Sequence, residues 1–279
     1  MSERFPSDWL ALREPVDHRS RAHDLTDELA GWLAGRQPKT SALTVVDLAA
    51  GAGSNLRYLA PRLPTGQRWT LIDHDAELLA RARAGAPEDV PTTSVERSLA
   101  VEGADALAGA ISPEPPARPD LVTASALFDL VSERWLRDLV AAVGRSESAV
   151  LFTLSYDGRI TWSDPDPVDV LVRDAVNAHQ RGDKGFGPAL GPSAGAAIAT
   201  AFGDAGFDVR SASTPWRLGP GDEELTSRLV EGWTAAAADQ EPAATDELSA
   251  WRERRYARIA AGAFGIEVGH TDVLALPRS

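Results

Sequence analysis

The sequence predicts an α/β fold built on a parallel, doubly wound sheet. Three observations carry that prediction. From Ala42 onward, short apolar runs alternate with amphipathic segments of helical length, the pattern of strands crossed over by helices. Two of those runs, Leu43–Asp47 and Arg68–Asp73, end in a carboxylate. The first leads through a glycine-bearing turn, Leu48-Ala-Ala-Gly-Ala-Gly-Ser54, into a helical pattern.

The elements follow in order. Ser7-Asp8 starts a short helical turn through Trp9, Leu10 and Leu12. A helix over about 24–33 puts Leu25, Leu29, Trp32 and Leu33 on one face and stops at Gln37-Pro38. Strand one is Leu43–Asp47, followed by a helix over about 55–62. Strand two is Arg68–Asp73, after which Asp75 caps a helix bearing Leu78, Leu79 and Ala82. Strand three lies near 94–99, strand four is Asp120–Ser125 and strand five is Ala149–Leu154, with a helix over 135–143 between the last two. The stretch 157–167 reads as turn, 168–178 as helix, and 180–192 as a polar, glycine-punctuated loop. A helix over 193–205, one strand over 207–218, two helices over about 223–238 and 245–262, and a last strand over 266–276 complete the chain.

Composition bounds the function. The chain has 279 residues, 28 Lys plus Arg against 41 Asp plus Glu, and a formal charge of −13. That balance disfavours a nucleic-acid backbone or an anionic membrane as the partner. There is no cysteine, which removes disulfides, thiolate nucleophiles and Cys-ligated metals. The five histidines are scattered without metal-ligand spacing, so no metal is expected. No run of about 18 apolar residues occurs and the N-terminus shows no apolar signal core. A cytoplasmic protein, monomer or homodimer, is the expectation.

The glycine turn separates two cofactor chemistries. A dinucleotide site wants G-x-G-x-x-G so that pyrophosphate can sit at the helix N-terminus. Here Gly51-Ala-Gly53 continues Ser54-Asn55-Leu56 and the third glycine is missing. Asp47, at the strand end before the turn, would repel pyrophosphate. A cationic adenosyl sulfonium with an α-amino group suits that carboxylate. The order D-x-x-x-G-x-G followed by a second strand-terminal acid resembles the class I S-adenosylmethionine-dependent methyltransferases, clearly over about 42–155 and more loosely beyond. The family's first loop glycine is Ala49 here.

The resemblance implies a Rossmann-like, seven-stranded mixed sheet in the order 3-2-1-4-5-7-6. An N-terminal helical lid (1–40) would precede a methyltransferase domain (41–279), with an acceptor-side loop (157–192) and a helical insertion (222–263). It implies S-adenosyl-L-methionine as cofactor and a small-molecule acceptor with an oxygen or nitrogen nucleophile. Asp47, Ala49, Gly51 and Gly53 would line the methionine end, with Arg21 or Arg13 pairing its carboxylate, and Asn55 is a further cofactor-binding candidate. Asp73 would take the ribose hydroxyls, His74 would flank the adenine, and Asp105-Ala106 would hold its amino group. Ala124 and Ser125 would border the sulfonium.

For the acceptor side, His179 is the candidate base, since imidazole titrates near neutral pH. Asp129 and Tyr156 are the alternatives. Gln180, Lys184 and Trp162 are candidates for binding the acceptor. Two other readings compete: an NAD(P)-dependent oxidoreductase, and a catalytically inactive protein that binds S-adenosylmethionine.

Overall fold

A computed structural model describes residues 7–36, 41–103, 107, 109, 111 and 118–278. Asp105 and Ala106 lie outside the described residues. Eight strands form one sheet: β1 (Leu43–Leu48), β2 (Gln67–Asp73), β3 (Thr92–Glu96), β4 (Leu121–Ser125), β5 (Ala149–Trp162), β6 (Phe207–Ser213), β7 (Trp216–Leu218) and β8 (Ile266–Pro277). Their order is β3-β2-β1-β4-β5-β8-β6, with β7 also paired to β8. The pairs from β3 through β5 are parallel, and β8 runs antiparallel to β5, β6 and β7. The reversal of direction from β1 outward, toward β2 on one side and β4 on the other, opens a crevice at their carboxyl ends.

The parallel strands read as near-continuous apolar runs because helices cover both sheet faces. On one face, Phe128, Leu136, Phe152, Ile198 and Phe202 are buried together. On the other, Leu25, Leu29, Leu56, Tyr58 and Trp69 form a second core. The helices of that framework are α1 (Ser7–Ser20), α2 (His23–Arg36), α3 (Ser54–Leu59), α4 (Ala76–Ala84), α5 (Leu99–Glu102), α6 (Glu133–Ser146), α7 (Asp169–Gln180) and α8 (Ala194–Asp204). Asp75 caps α4 as its sequence position implies, its Oδ1 accepting from the Glu77 and Leu78 amides at 2.9 and 3.2 Å. A third core joins α1, α7 and the antiparallel pair α9 (Glu223–Gln240) and α10 (Thr245–Ala260) around Trp216, Trp233 and Trp251.

Several expectations are corrected. The N-terminal turn is a fourteen-residue helix that runs through Pro15. Trp9, Leu12 and Val16 pack into the third core, and that packing outweighs the hydrogen bond Pro15 cannot donate. Strand five does not stop at Leu154. It continues through two irregularities to Trp162, because β8 is long enough to pair it there, Trp162 opposite Ile266. Residues 157–162 are therefore strand and not turn. The single strand expected over 207–218 divides into β6 and β7, with Thr214 and Pro215 between them, so the sheet has eight strands and not seven. Strand three is shifted toward the N-terminus, to 92–96.

Candidate cofactor and acceptor cavity

The turn after β1 is a left-handed path. Ala49, Gly51 and Gly53 have φ of +52°, +51° and +82°. Glycine adopts such angles freely, and alanine at the first position is strained by roughly 1–2 kcal/mol. Gly53 has a packing role as well. A Cβ there would come 2.9 Å from Ala82 Cβ, so only glycine lets the start of α3 lie against α4. Gly53 does not line the cavity, whereas Ala49 and Gly51 do.

The cavity sits over the carboxyl ends of β2, β1 and β4. Asp73 ends β2 at its wall. Its Oδ2 accepts from the Gly51 amide at 2.8 Å and its Oδ1 from the Asp75 amide at 3.0 Å. His74 Nδ1 lies 3.2 Å from the same carboxylate. Oδ2 keeps a second lone pair, so Asp73 is oriented by the protein and can still accept from a ligand.

Asp47, at the end of β1, is fully buried. Its Oδ1 accepts from Asn55 Nδ2 at 2.8 Å, and its Oδ2 has no partner. Burial pushes its carboxyl up to about 7. Asn55 and Arg21 oppose that rise, and Asp73 adds to it. A buried carboxylate oxygen without a donor is costly, and a cationic or N–H-bearing ligand would remove the cost. Asn55 also donates to Thr123 Oγ1 at 3.1 Å and accepts from Arg21 Nη1 at 3.0 Å. Arg21 itself is not on the cavity wall. Its guanidinium stacks 4.5 Å from the Tyr58 ring centroid and lies 3.8 Å from Asp272, so it braces Asn55 from behind. Asp272 in turn accepts from Ala22 N, Leu154 N and Thr214 Oγ1 at 2.8–3.1 Å, tying the α1–α2 junction to β5 and to the link between β6 and β7.

The opposite wall comes from α1. Leu10, Arg13, Glu14 and Asp17 face the cavity, a helical i, i+3, i+4, i+7 stripe. Arg57 of α3 grips Glu14 through Nε and Nη2 at 2.7 and 2.6 Å, and His18 Nε2 lies 3.0 Å from Ser54 Oγ. Arg97, Ser98, Leu99 and Ala100 follow β3 at the Asp73 end. Ser125, Ala126, Leu127 and Leu130 follow β4. Of this stripe the sequence singles out only Arg13, within the expected N-terminal lid; Leu10, Glu14 and Asp17 were missed because the charges look like a solvated helix face. The heptad-like spacing of Leu10, Arg13 and Asp17 was the available signal.

The cavity thus gathers Arg13, Asp47, Ala49, Gly51, Asn55, Asp73, His74, Ser125 and Lys184 from the expected set. Several expected residues stand elsewhere. Ala124 is buried in the sheet core, one residue short of the wall. Trp162 packs edge-on between Trp233 and Trp251, with the Arg255 guanidinium 4.1 Å from its ring. It is part of the third core because β5 extends beyond the cavity before reaching it. Tyr156 donates to Asn177 Oδ1 at 2.8 Å, and burial raises its phenol above the ordinary range. His179 Nδ1 accepts from Lys184 Nζ at 3.3 Å. Asp129 is buried with Oδ1 unpartnered, and burial raises it to about 6 against the pull of Arg13 and Lys184. Gln180 is only half-buried, and its Oε1 has no partner. None of Tyr156, His179, Gln180 and Asp129 lines the cavity.

No group of three or more metal-ligating side chains occurs among the described residues, and none of the helices in that set is long and apolar enough to cross a membrane.

The strand order, with the antiparallel last strand inserted between β5 and β6, is the order expected from the sequence apart from the extra short strand β7. No protein-family model matches the chain. Over 127 residues the chain is 37% identical to a trans-aconitate 2-methyltransferase of Paracidovorax citrulli, covering 44% of this chain and 41% of that protein. The chain therefore matches about two fifths of that relative's length. Among solved structures, it is similar to a SAM-dependent methyltransferase from Geobacter sulfurreducens in complex with S-adenosyl-L-homocysteine (16% identity, 98% of this chain and 99% of that one, TM-score 0.47). A SAM-dependent methyltransferase from Thiobacillus denitrificans, also with S-adenosyl-L-homocysteine, gives 15% identity over 98% and 100% of the two chains, with a TM-score of 0.45.

Proposed function

We propose that the protein transfers a methyl group from S-adenosylmethionine to a small-molecule acceptor. The observation that carries this reading is the pair of buried strand-end carboxylates, Asp47 and Asp73, on one cavity at the sheet crevice, one with an unpartnered oxygen and the other oriented by two amides. Such a pair suits a cationic, phosphate-free adenosyl ligand, and Asp47 beside the turn repels a pyrophosphate. The partial match to a curated methyltransferase supports it.

In this reading Asp73 accepts from the ribose hydroxyls and His74 and Leu78 border the adenosyl group. Asp47 Oδ2 faces the cationic methionine end, with Asn55 and Arg21 fixing its rotamer. When bound, the cofactor supplies an electrophilic methyl group on a sulfonium. The chain's own part is to hold the acceptor in line near Ser125 and Ala126, and to exclude water with α1. Orientation of this kind contributes several kcal/mol. The N-terminal helices act as the lid, and the acidic surface suits a small acceptor in the cytoplasm. The test is incubation with methyl-labelled S-adenosylmethionine and fractionated small-molecule extract. Protein-dependent formation of S-adenosylhomocysteine with label in a small molecule is expected. Its absence from all fractions, with the ligand bound, would favour an inactive binding protein.

A further inference from the structure

Arg13 is a guanidinium held ready for an anion. Asp17 accepts from its Nε and Nη2 at 2.9 and 3.2 Å, and its Cζ lies 4.9 Å from the Trp216 ring centroid. Nη1 makes no hydrogen bond among the described residues, and the side chain lines the cavity. A guanidinium fixed along one edge and one face has lost its rotamer freedom before a ligand arrives.

Its place along the sheet says which ligand it meets. Asp73 ends β2 and Asp47 ends β1, whereas Trp216 lies on β7 and packs 4.9 Å from His270 on β8. In the sheet order, β8 lies beyond β4 and β5, at the other end of the row from β2. Arg13 therefore stands toward the β7–β8 end of the cavity, away from Asp73, and Arg21 stands behind Asp47. Lys184 adds a second cation to the same cavity, among the apolar side chains of Leu127, Leu130 and Phe186.

We propose that the acceptor is a carboxylic acid whose carboxylate is bound by Arg13, with Lys184 reinforcing the positive field and the apolar wall taking the carbon skeleton. The proposal rests on the methyl-transfer reading above and names its acceptor class. A carboxylate is already ionised at neutral pH and needs no base. That fits a cavity from whose wall Tyr156, His179 and Asp129 are all absent. The acceptor oxygen forms an O–CH3 bond, the S–CH3 bond breaks, its electron pair stays on sulfur, and no proton is released. The product is a methyl ester.

The test pairs binding with transfer. Wild type, Arg13→Lys, and the double variant Arg13→Met with Asp17→Asn, which leaves no buried unpaired carboxylate, are titrated with S-adenosylhomocysteine by calorimetry. They are then assayed with methyl-labelled S-adenosylmethionine against benzoate, octanoate, succinate and citrate, and against tyramine, catechol and histamine. The expected result is label in carboxylic acids that alkali releases as methanol. The double variant should raise KM for the acid by about tenfold or more, with Arg13→Lys intermediate, while the dissociation constant for S-adenosylhomocysteine stays within about twofold. Three results overturn the proposal: label confined to amines or phenols, no label in any acid by a protein that binds S-adenosylhomocysteine, or a loss of S-adenosylhomocysteine affinity matching the rise in KM. A wild type that does not bind S-adenosylhomocysteine removes the methyl-transfer reading, and the acceptor assignment falls with it.

Discussion

Replacing Asp47 by Asn should stabilise the ligand-free protein and weaken its binding site at once. The asparagine keeps an Oδ1 to accept from Asn55, and puts an uncharged amide where Oδ2 has no partner. Burial raises the Asp47 carboxyl from 3.8 to about 7. An acid held more tightly protonated in the folded state favours folding below its unfolded value. That contribution is lost as pH rises to the folded value. Over about three pH units, at about 1.4 kcal/mol each, the wild type gives up at most about 4 kcal/mol that the variant retains. At ~2–4 °C per kcal/mol for a chain of this size, the variant should melt up to about 16 °C higher at pH 8 and equally at pH 4. The assay is urea or thermal unfolding of both proteins from pH 4 to 8. The stability difference should grow through that range and level off above about pH 7. A flat difference, or a variant less stable at pH 8, would refute the buried-charge argument. Calorimetry completes it: the wild type should bind S-adenosylhomocysteine more tightly as pH rises toward 7, and the variant should lose that dependence.

Four other perturbations follow from the same geometry. Asp73→Ala should weaken S-adenosylhomocysteine binding about tenfold or more by calorimetry, since a hydrogen bond to a charged group contributes ~1.5–3 kcal/mol. Ala49→Gly should raise unfolding stability by about 1 kcal/mol, because glycine removes the cost of the +52° φ. Gly53→Ala should lower stability by about 2–4 kcal/mol, from its +82° φ and the approach to Ala82. Glu14→Gln should cost about 1 kcal/mol or less globally, as the pair with Arg57 is only half-buried, yet amide exchange should speed up selectively in α1.

The strand-end carboxylates were legible because each sits where an apolar run stops, and the run and the stop are both local signals. Asp75 was legible as a cap for the same reason. Residues positioned by distant partners were not. Trp162 reads as a pocket aromatic only if β5 ends at Leu154, and the length of β5 is set by β8, more than a hundred residues on. The division at Thr214 is likewise held in place from β8, through Asp272. Most of the α1 wall was hidden by its charges, whose partners Arg57 and Trp216 only the fold brings near. Arg21 was expected at the ligand and instead holds Asn55, a difference of one contact that no spacing rule reveals.

The central claim is that the two strand-end acids define a site for a cationic adenosyl ligand. Calorimetric titration of the protein with S-adenosylhomocysteine and, separately, with NAD tests it most directly. The account predicts saturable binding of S-adenosylhomocysteine, weakened about tenfold or more in Asp73→Ala, and no binding of NAD. Binding of NAD without S-adenosylhomocysteine would contradict it.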